Sequence, residues 1–179
     1  EARDLEARIV MMTADEVLVF LRDITERKRF ELQVLLANRE ILKTQLDALA
    51  AAARYYPKTE VWVMAPMIAT SSEAIEFAEL ARSCGNYKVG IMVETPAIAM
   101  ALRDLTGKID FISVGTNDLS QYLFAADRMN AGLGALLNPW QPALVRMLQV
   151  IASESAAAGI SSGVCGESAS DPAFAVVLA

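Results

Sequence analysis

At 179 residues the chain is long enough for one domain with a sizeable core, but too short for a complete eightfold α/β barrel, which takes about 250 residues. The net charge of −6 argues against a nucleic-acid partner, and no run approaches the roughly 20 apolar residues of a membrane span. Two isolated cysteines exclude a disulfide framework, and the absence of histidine excludes phosphohistidine on this chain. Free thiols and the lack of a signal-peptide pattern indicate a cytoplasmic protein.

The N-terminal part has the pattern of a short β-hairpin followed by a long helix. Apolar, β-branched runs at residues 5–10 and 17–22 predict two strands joined by a turn. The sequence DITE at 23–26 has the side chains of a capping box. Leucines at helical spacing after it predict one helix that continues to about Tyr55.

From Tyr56 onward, short apolar runs alternate with amphipathic ones. The runs predict strands at 61–68, 88–94, 110–114 and 162–164. They predict helices that start at Thr70 and end at Gly85, at 97–105, at 119–124 after a loop at 115–118, at 141–158, and from 171 onward. This alternation is typical of parallel βα units. The predicted fold class is therefore α/β, a partial (β/α)8 TIM barrel of about four βα units.

Polar residues follow two of the predicted strands. Glu94 ends the run VGIMV, and Gly115, Thr116, Asn117 and Asp118 follow FISV. A turn of this kind can direct successive N–H groups at a phosphate, and two carboxylates without histidine suit Mg²⁺ together with water and substrate phosphate. Two alternatives remain open: a simple turn with a helix N-cap at Asn117 and Asp118, and neutralisation of Glu94 by a nearby lysine or helix N-terminus.

Two further side chains have the chemistry of a phosphate site. Arg128 lies ten residues past the turn, and its guanidinium is suited to clamp a phosphate in bidentate fashion. Alternatively it is a solvated partner for Asp127 or Glu154. Cys165 follows the last predicted strand, where it is either an acid in the site or an inert buried thiol, and the residues alone favour the inert role.

Residues from about 38 to 179 resemble the C-terminal barrel of the phosphoenolpyruvate-utilising enzymes. The similarity is carried by WVMAPMI, VGIMVETPA, DFISVGTNDLSQYLFAADR, LLNPWQPALVRML and GVCGESASDPA. Within that family, GTND-x-x-QY followed by AADR is most similar to Enzyme I, the phosphoenolpyruvate-protein phosphotransferase of the sugar phosphotransferase system. The resemblance implies a cytoplasmic transferase that depends on magnesium.

The resemblance also implies a role for each candidate residue. The residues implied to bind the substrate phosphoenolpyruvate are Gly115, Thr116, Asn117, Asp118 and Arg128. Glu94 and Asp118 are implied to ligate Mg²⁺. Cys165 is implied to be catalytic, and to protonate the substrate carbon as pyruvate forms.

Partners outside this chain are implied as well. The phosphoryl group would pass to a histidine on a separate domain and then to a small carrier protein, which agrees with the lack of histidine here. The resemblance further implies a homodimer in the full-length protein, with no membrane insertion. The isolated chain would then be an incomplete and inactive enzyme.

Three departures from the family pattern qualify this interpretation. The earlier barrel strands and the last one are expected to lie outside these residues, and Trp62 stands where an arginine is common. Residues 1–35 instead resemble the end of a PAS sensor domain, so that 36–179 form the partial barrel. A non-catalytic regulatory ligand-binding module fused to a PAS-like sensor, and a truncated product without function, are the alternatives.

Overall fold

The computed structural model describes residues 5–11, 17–23 and 25–178. The elements in chain order are β1 (Leu5–Met11), β2 (Val17–Asp23), α1 (Thr25–Ala53), β3 (Val61–Ala65), α2 (Ser71–Cys84), β4 (Tyr87–Val93), α3 (Pro96–Ala99), β5 (Phe111–Gly115), α4 (Thr116–Leu123), α5 (Pro142–Ala157), β6 (Ser161–Cys165) and α6 (Pro172–Leu178). Short 3-10 turns lie at Leu102–Leu105, Ala131–Leu133 and Glu167–Ser170.

The chain divides into two compact units, residues 1–45 and 46–179. In the first unit β1 and β2 form an antiparallel pair, with Leu5 opposite Asp23 and Met11 opposite Val17. The predicted hairpin strands and the long helix after them are therefore confirmed. The predicted domain boundary between residues 35 and 36 falls inside α1, which is helical throughout, and the assignment of 1–35 to a separate domain stays a prediction.

The second unit is built on a parallel sheet of four strands in the order β3-β4-β5-β6. Helices connect each strand to the next, which confirms the α/β class and the four predicted strands. Val93 lies opposite Val114, and Gly115 lies opposite Cys165. Because the strands are parallel, their carboxyl ends meet at one edge of the sheet, which is called the rim below.

One face of this sheet forms the core. Val89, Ile91 and Val93 are fully buried, and their period of two places them on one face of β4. Small residues of α2 complete the buried layer: Ala74, Ala78 and Ala81. The opposite face carries Gly90, Gly115 and Gly163 by the same alternation.

Two segments differ from their predicted form. The helix predicted over 97–105 is the single turn α3 followed by a separate 3-10 turn, in which Leu102 and Leu105 are both fully buried. A 3-10 turn places residues three apart on one side, so both leucines reach the core. The strand predicted over 61–68 ends at Ala65, because Pro66 has no N–H to donate to a ladder.

The helices of the described residues lack the character of a membrane span. None of them is long and apolar enough to cross a bilayer. The only helix in this part of the chain with more than twenty residues is α1. Its sequence includes REILK and TQLD, and such charged and polar residues interrupt any apolar run of the length that a span needs.

An ion pair fastens the amino end of the sheet. Arg82 of α2 donates to Asp110 Oδ2 at 3.0 Å, and the Val89 N–H donates to the same oxygen at 2.7 Å. Burial by itself would raise the pKa of Asp110, but the Val89 hydrogen bond and the Arg82 guanidinium outweigh it and lower the pKa below its ordinary value of 3.8. The ionised carboxyl therefore stabilises the fold.

We expect Asp110→Asn to lower the free energy of unfolding by about 1 kcal/mol at pH 7, the size of one charge-assisted hydrogen bond at a partly exposed site. Because the pKa of Asp110 is depressed in the folded state, its contribution to stability is present at pH values above the ordinary pKa of 3.8. The contribution is lost as the pH falls through the lower pKa of the folded state. Urea unfolding of both proteins at pH 7 and at steps below pH 4 measures the difference. Asp104→Asn is the control, since among the described residues Asp104 accepts from the exposed Ser71 hydroxyl alone, at 3.2 Å.

Candidate functional site

The rim holds the candidate residues that the sequence places at strand ends. Glu94 follows β4, Thr116 to Asp118 follow β5, and Cys165 is the last residue of β6. The predicted loop at 115–118 is wrong: Gly115 is the last residue of β5, and α4 begins at Thr116. The turn that the sequence indicated is thus the first turn of a helix.

Glu94 is a buried carboxylate, with only 6% of the residue exposed. The Met67 N–H donates to Oε2 at 2.8 Å, and Met67 has a left-handed φ of 55°. Among the described residues no lysine or arginine pairs with Glu94, so neutralisation by a nearby lysine is not what the structure shows. An ionised carboxylate buried in this way is costly unless a cation reaches it.

Gly115 makes the space that Glu94 occupies. A Cβ at Gly115 would lie 2.6 Å from Glu94 Cγ and 2.9 Å from Oε1. Such distances are far inside van der Waals contact, so a side chain at this position would displace the carboxylate. Glycine is required here for close approach rather than for a special backbone angle, since its φ is −86°.

The first turn of α4 is bonded to the turn after β6. The Thr116 hydroxyl donates to the Cys165 carbonyl at 3.1 Å and also shares a short hydrogen bond with the Ser168 hydroxyl. Both hydroxyl residues are buried. Gly166 has a φ of 92°, and a Cβ on it would lie 2.8 Å from Thr116 Oγ1. These contacts explain why the segment is helical from Thr116: its polar side chains find partners across the rim instead of closing a local turn.

Asn117 has a fixed orientation in this arrangement. Its Oδ1 accepts the Glu167 N–H at 3.2 Å, so the amide oxygen is committed and the NH₂ group is left as a donor. Gly115, not Asn117 or Asp118, is the N-cap residue of α4, and it makes no side-chain cap. The alternative of a simple N-cap at Asn117 or Asp118 is therefore not what the structure shows.

Asp118 and Arg128 face each other loosely. Arg128 Nη1 lies 3.9 Å from Asp118 Oδ2, which for a half-exposed pair is worth little energy. The suggested partners of Arg128 are engaged elsewhere: Glu154 binds Arg103, and Asp127 accepts the Met129 N–H at 2.9 Å. The guanidinium is thus available to a ligand near Asp118.

Cys165 is a free, half-buried thiol. Its Sγ donates to the Val114 carbonyl at 3.4 Å, which holds the sulfur against the end of β5. The residue lies opposite Gly115 in the ladder, and Glu94 packs against that same glycine. The thiol and the buried carboxylate therefore flank one residue of the rim.

A cavity of about 490 Å³ lies beside the first turn of α4. Its wall includes three of the predicted substrate-binding residues, Thr116, Asn117 and Arg128. Glu94, Asp118 and Cys165 are not among its lining residues. Glu94 and Cys165 thus lie beside Gly115 on the rim, whereas Asp118 contacts Arg128 of the cavity wall.

The donor set fits magnesium better than a softer metal. Within the described part of the chain no three His, Cys, Asp or Glu side chains cluster as a complete protein cage. Glu94 offers a buried oxygen that no cation of the described residues pairs with, and Asp118 offers a second carboxylate. Magnesium is commonly held by one or two carboxylates, with water and substrate phosphate as its remaining ligands, so the residues present fit such an ion.

Sequence reasoning missed three positions that shape this site. Met67 supplies the N–H for Glu94, and Ser168 and Glu167 hold the first turn of α4. Gly166 in GVCGES was the available signal, because a glycine directly after a strand indicates a close approach. No local pattern marks Met67.

The protein-family comparison identifies the domain. The model of the PEP-binding domain of PEP-utilising enzymes matches residues 31–179. The chain belongs to the phosphoenolpyruvate-utilising enzyme family. The match covers α1 from its seventh residue and every element after it, and it confirms the family that the motifs indicated.

Curated relatives agree with this assignment. The phosphoenolpyruvate-protein phosphotransferase of Streptomyces coelicolor is 46% identical over 148 residues, which are 82% of this chain and 26% of the relative. The same enzyme of Mycoplasma pneumoniae is 39% identical, covering 79% and 25%, and that of Bacillus subtilis is 33% identical, covering 96% and 32%. The chain spans about a quarter to a third of the length of these relatives. Because they are named as enzymes, they do not favour the regulatory-module alternative.

Trp62, which stands where the family often has arginine, is not at the rim. It is the second residue of β3 and therefore lies near the amino end of the sheet. Its indole is half exposed, donates to Glu60 at 2.8 Å and packs on Phe111 with ring centroids 4.8 Å apart. The Phe111 ring in turn covers Gly90, so Trp62 belongs to an aromatic cluster.

We expect Gly115→Ala to lower the free energy of unfolding by about 1–3 kcal/mol, because the added methyl overpacks the Glu94 stem. Urea unfolding measures the change. Gly163→Ala is the matched control on the same sheet face, since a Cβ there meets nothing within 4 Å, and its change should stay within about 0.5 kcal/mol. Equal effects of the two substitutions would contradict the packing of Glu94 on Gly115.

Proposed function

We propose that this chain is the Mg²⁺-dependent, phosphoenolpyruvate-binding part of a phosphoenolpyruvate-protein phosphotransferase, Enzyme I of the sugar phosphotransferase system. In this proposal the four parallel strands are half of a (β/α)8 barrel, whose rim carries the chemistry. The observation that carries it is the buried Glu94, which packs against Gly115 and pairs with no lysine or arginine of the described residues. The similarity to named phosphotransferases supports the choice of reaction.

Three groups would hold the substrate anion. The Asn117 NH₂ is a free donor because its oxygen is committed to Glu167. Arg128 would contribute a guanidinium suited to bidentate binding of phosphate or carboxylate. The first N–H groups of α4 have no side-chain cap, and uncapped helix N-termini favour anions. Thr116 would contribute through its backbone and position, since its hydroxyl is bonded to Cys165 and Ser168.

Glu94 and Asp118 would hold Mg²⁺. When bound, the ion would polarise the phosphate and neutralise charge that develops on the substrate oxygen. Glu94 would remain oriented by the Met67 N–H, which leaves Oε1 for the ion. Asp118 would exchange its loose contact with Arg128 for the ion and so release the guanidinium to the substrate.

Cys165 would act as the acid. The P–O bond of phosphoenolpyruvate would break as phosphorus bonds to an imidazole nitrogen of a histidine on a separate domain. The thiol proton would go to the methylene carbon, which gives pyruvate, and the thiolate would recover a proton from water. The Val114 carbonyl holds the thiol at 3.4 Å, and it would keep the S–H oriented until substrate replaces this contact.

The remaining parts of the proposal concern the whole protein. A small carrier protein would receive the phosphoryl group from the histidine domain, and the full-length enzyme would be a homodimer. The two free thiols suit the reducing cytoplasm, where we place it. Residues 1–35 are proposed to derive from a PAS-like segment, on sequence resemblance alone.

We expect Asp118→Asn to weaken phosphoenolpyruvate binding in the presence of Mg²⁺ by at least about tenfold, since loss of even an outer partner of a metal ligand has that effect. Titration calorimetry with and without a chelator measures it. Asp127→Asn is the control: it makes the same charge change one residue before Arg128, and an asparagine there still accepts the Met129 N–H. Phosphoenolpyruvate affinity that changes neither on addition of the chelator nor in Asp118→Asn would rule the proposal out.

A second prediction tests the acid without a phosphoryl acceptor. By microscopic reversibility, the Cys165 thiolate should remove a methyl proton from bound pyruvate, so the chain should exchange those protons for deuterium in D₂O with Mg²⁺ present. Cys165→Ser should reduce the exchange rate by about 10²-fold or more. Proton NMR follows the exchange, and Cys84→Ser controls for the other free thiol. Unchanged exchange in Cys165→Ser would remove the cysteine from this role.

A further inference from the structure

The cavity beside α4 has a wall that the proposed chemistry does not use. Besides Asn117 and Arg128 it is lined by Ser120 and, on the apolar side, by Leu137, Pro139 and Leu144. Its volume of about 490 Å³ is within the usual range for small-molecule sites.

Ser120 is the unusual residue of the wall. Only 4% of it is exposed, yet its hydroxyl makes no hydrogen bond with any residue that the structure describes. The other buried polar side chains of the described residues all have a partner: Glu94, Thr116, Ser155 and Ser168. A helical serine can bond the carbonyl four residues earlier, and Ser120 does not. Among the described residues no side-chain oxygen shut off from solvent lacks a partner, so the Ser120 hydroxyl reaches accessible space, and the cavity is the space that Ser120 lines.

Helix geometry puts Ser120 beside the other donors. Thr116 and Asn117 precede Ser120 by four and three residues, and residues at these spacings share one face of a helix. Asp118 is two residues away and faces elsewhere, which agrees with its absence from the cavity wall. Asn117 and Ser120 therefore line the cavity from one face of α4, and Arg128 lines it as well.

The wall also defines the chemistry of a ligand. Three hydrogen-bond donors, one of them cationic, favour anionic oxygens. The acidic residue Glu167 also lines this wall and, when no Mg²⁺ is bound, disfavours a second negative charge. The apolar residues Leu137, Pro139 and Leu144 suit a methyl or methylene group. These features together favour a small organic monocarboxylate over inorganic phosphate.

We propose that the Ser120 hydroxyl is a ligand-binding group, which donates to a carboxylate oxygen of a small organic monoanion held in this cavity by Asn117 and Arg128. The inference rests on the proposed function only in sharing those two residues. It adds a binding residue that needs no metal, so it can be tested with Mg²⁺ removed.

Pyruvate is the probe, titrated calorimetrically into the 179-residue chain in the presence of a chelator. We expect Ser120→Ala to weaken pyruvate binding by about tenfold, as loss of a hydrogen bond to a charged group does. Its melting temperature should not fall, because the hydroxyl has no partner in the fold. Inorganic phosphate should bind more weakly than pyruvate.

Ser155→Ala is the matched control. Ser155 is equally buried, but its hydroxyl donates to the Ala152 carbonyl at 3.1 Å, so its removal should lower the melting temperature and leave pyruvate affinity unchanged. If Ser120→Ala folds poorly, Ser120→Thr and Ser120→Val repeat the comparison, since they share a shape and differ in the hydroxyl.

The inference is overturned if pyruvate does not bind the unaltered chain, if Ser120→Ala binds it equally well, or if Ser120→Ala loses as much stability as Ser155→Ala. Phosphate binding as tight as that of pyruvate would overturn the assigned ligand class. These outcomes are separable from failure of the proposed function, which is judged on the chelator and on Asp118→Asn. Sensitivity to Mg²⁺ with no effect of Ser120→Ala would reject this inference alone.

Discussion

The hydrogen bonds between the first turn of α4 and the turn after β6 are the constraint on which the site depends. Thr116 binds the Cys165 carbonyl, and Asn117 accepts the Glu167 N–H. These two bonds connect segments about fifty residues apart in the sequence. They leave the NH₂ group of Asn117 as the free end of its amide, and they hold the end of β6, which carries Cys165, beside the first turn of α4. Without these hydrogen bonds and the one between Thr116 and Ser168, no side-chain hydrogen bond of the described residues would join the first turn of α4 to the turn after β6.

Glu94 depends on a second constraint, which is steric. Gly115 leaves room for the Glu94 stem, and the Met67 N–H holds one of its oxygens. The carboxylate is buried without a protein cation among the described residues. A fold retains such a group at a cost in stability, and that cost is the physical reason for assigning it to a cation that binds with the substrate.

The contacts that stabilise the sheet and the residues of the proposed chemistry lie at opposite ends of its strands. The Arg82 and Asp110 ion pair and the Trp62 and Phe111 ring pair lie toward the amino ends of the strands, whereas Glu94 and Cys165 follow or end their strands at the rim. This division is expected of α/β barrels. Because Trp62 lies near the amino end of β3, its presence in place of an arginine does not by itself remove a phosphate contact at the rim.

The sequence by itself determined the α/β class, the four parallel strands, the helix that starts at Thr70, and the family, because these follow from periodicity, local capping and motifs. It could not determine that the loop predicted at 115–118 is a helical turn, since Thr116 and Asn117 are bonded to residues about fifty positions away. Nor could it find Met67 or the unpartnered hydroxyl of Ser120. Both depend on which distant groups the fold brings near and which it leaves without a partner, and only tertiary packing decides that.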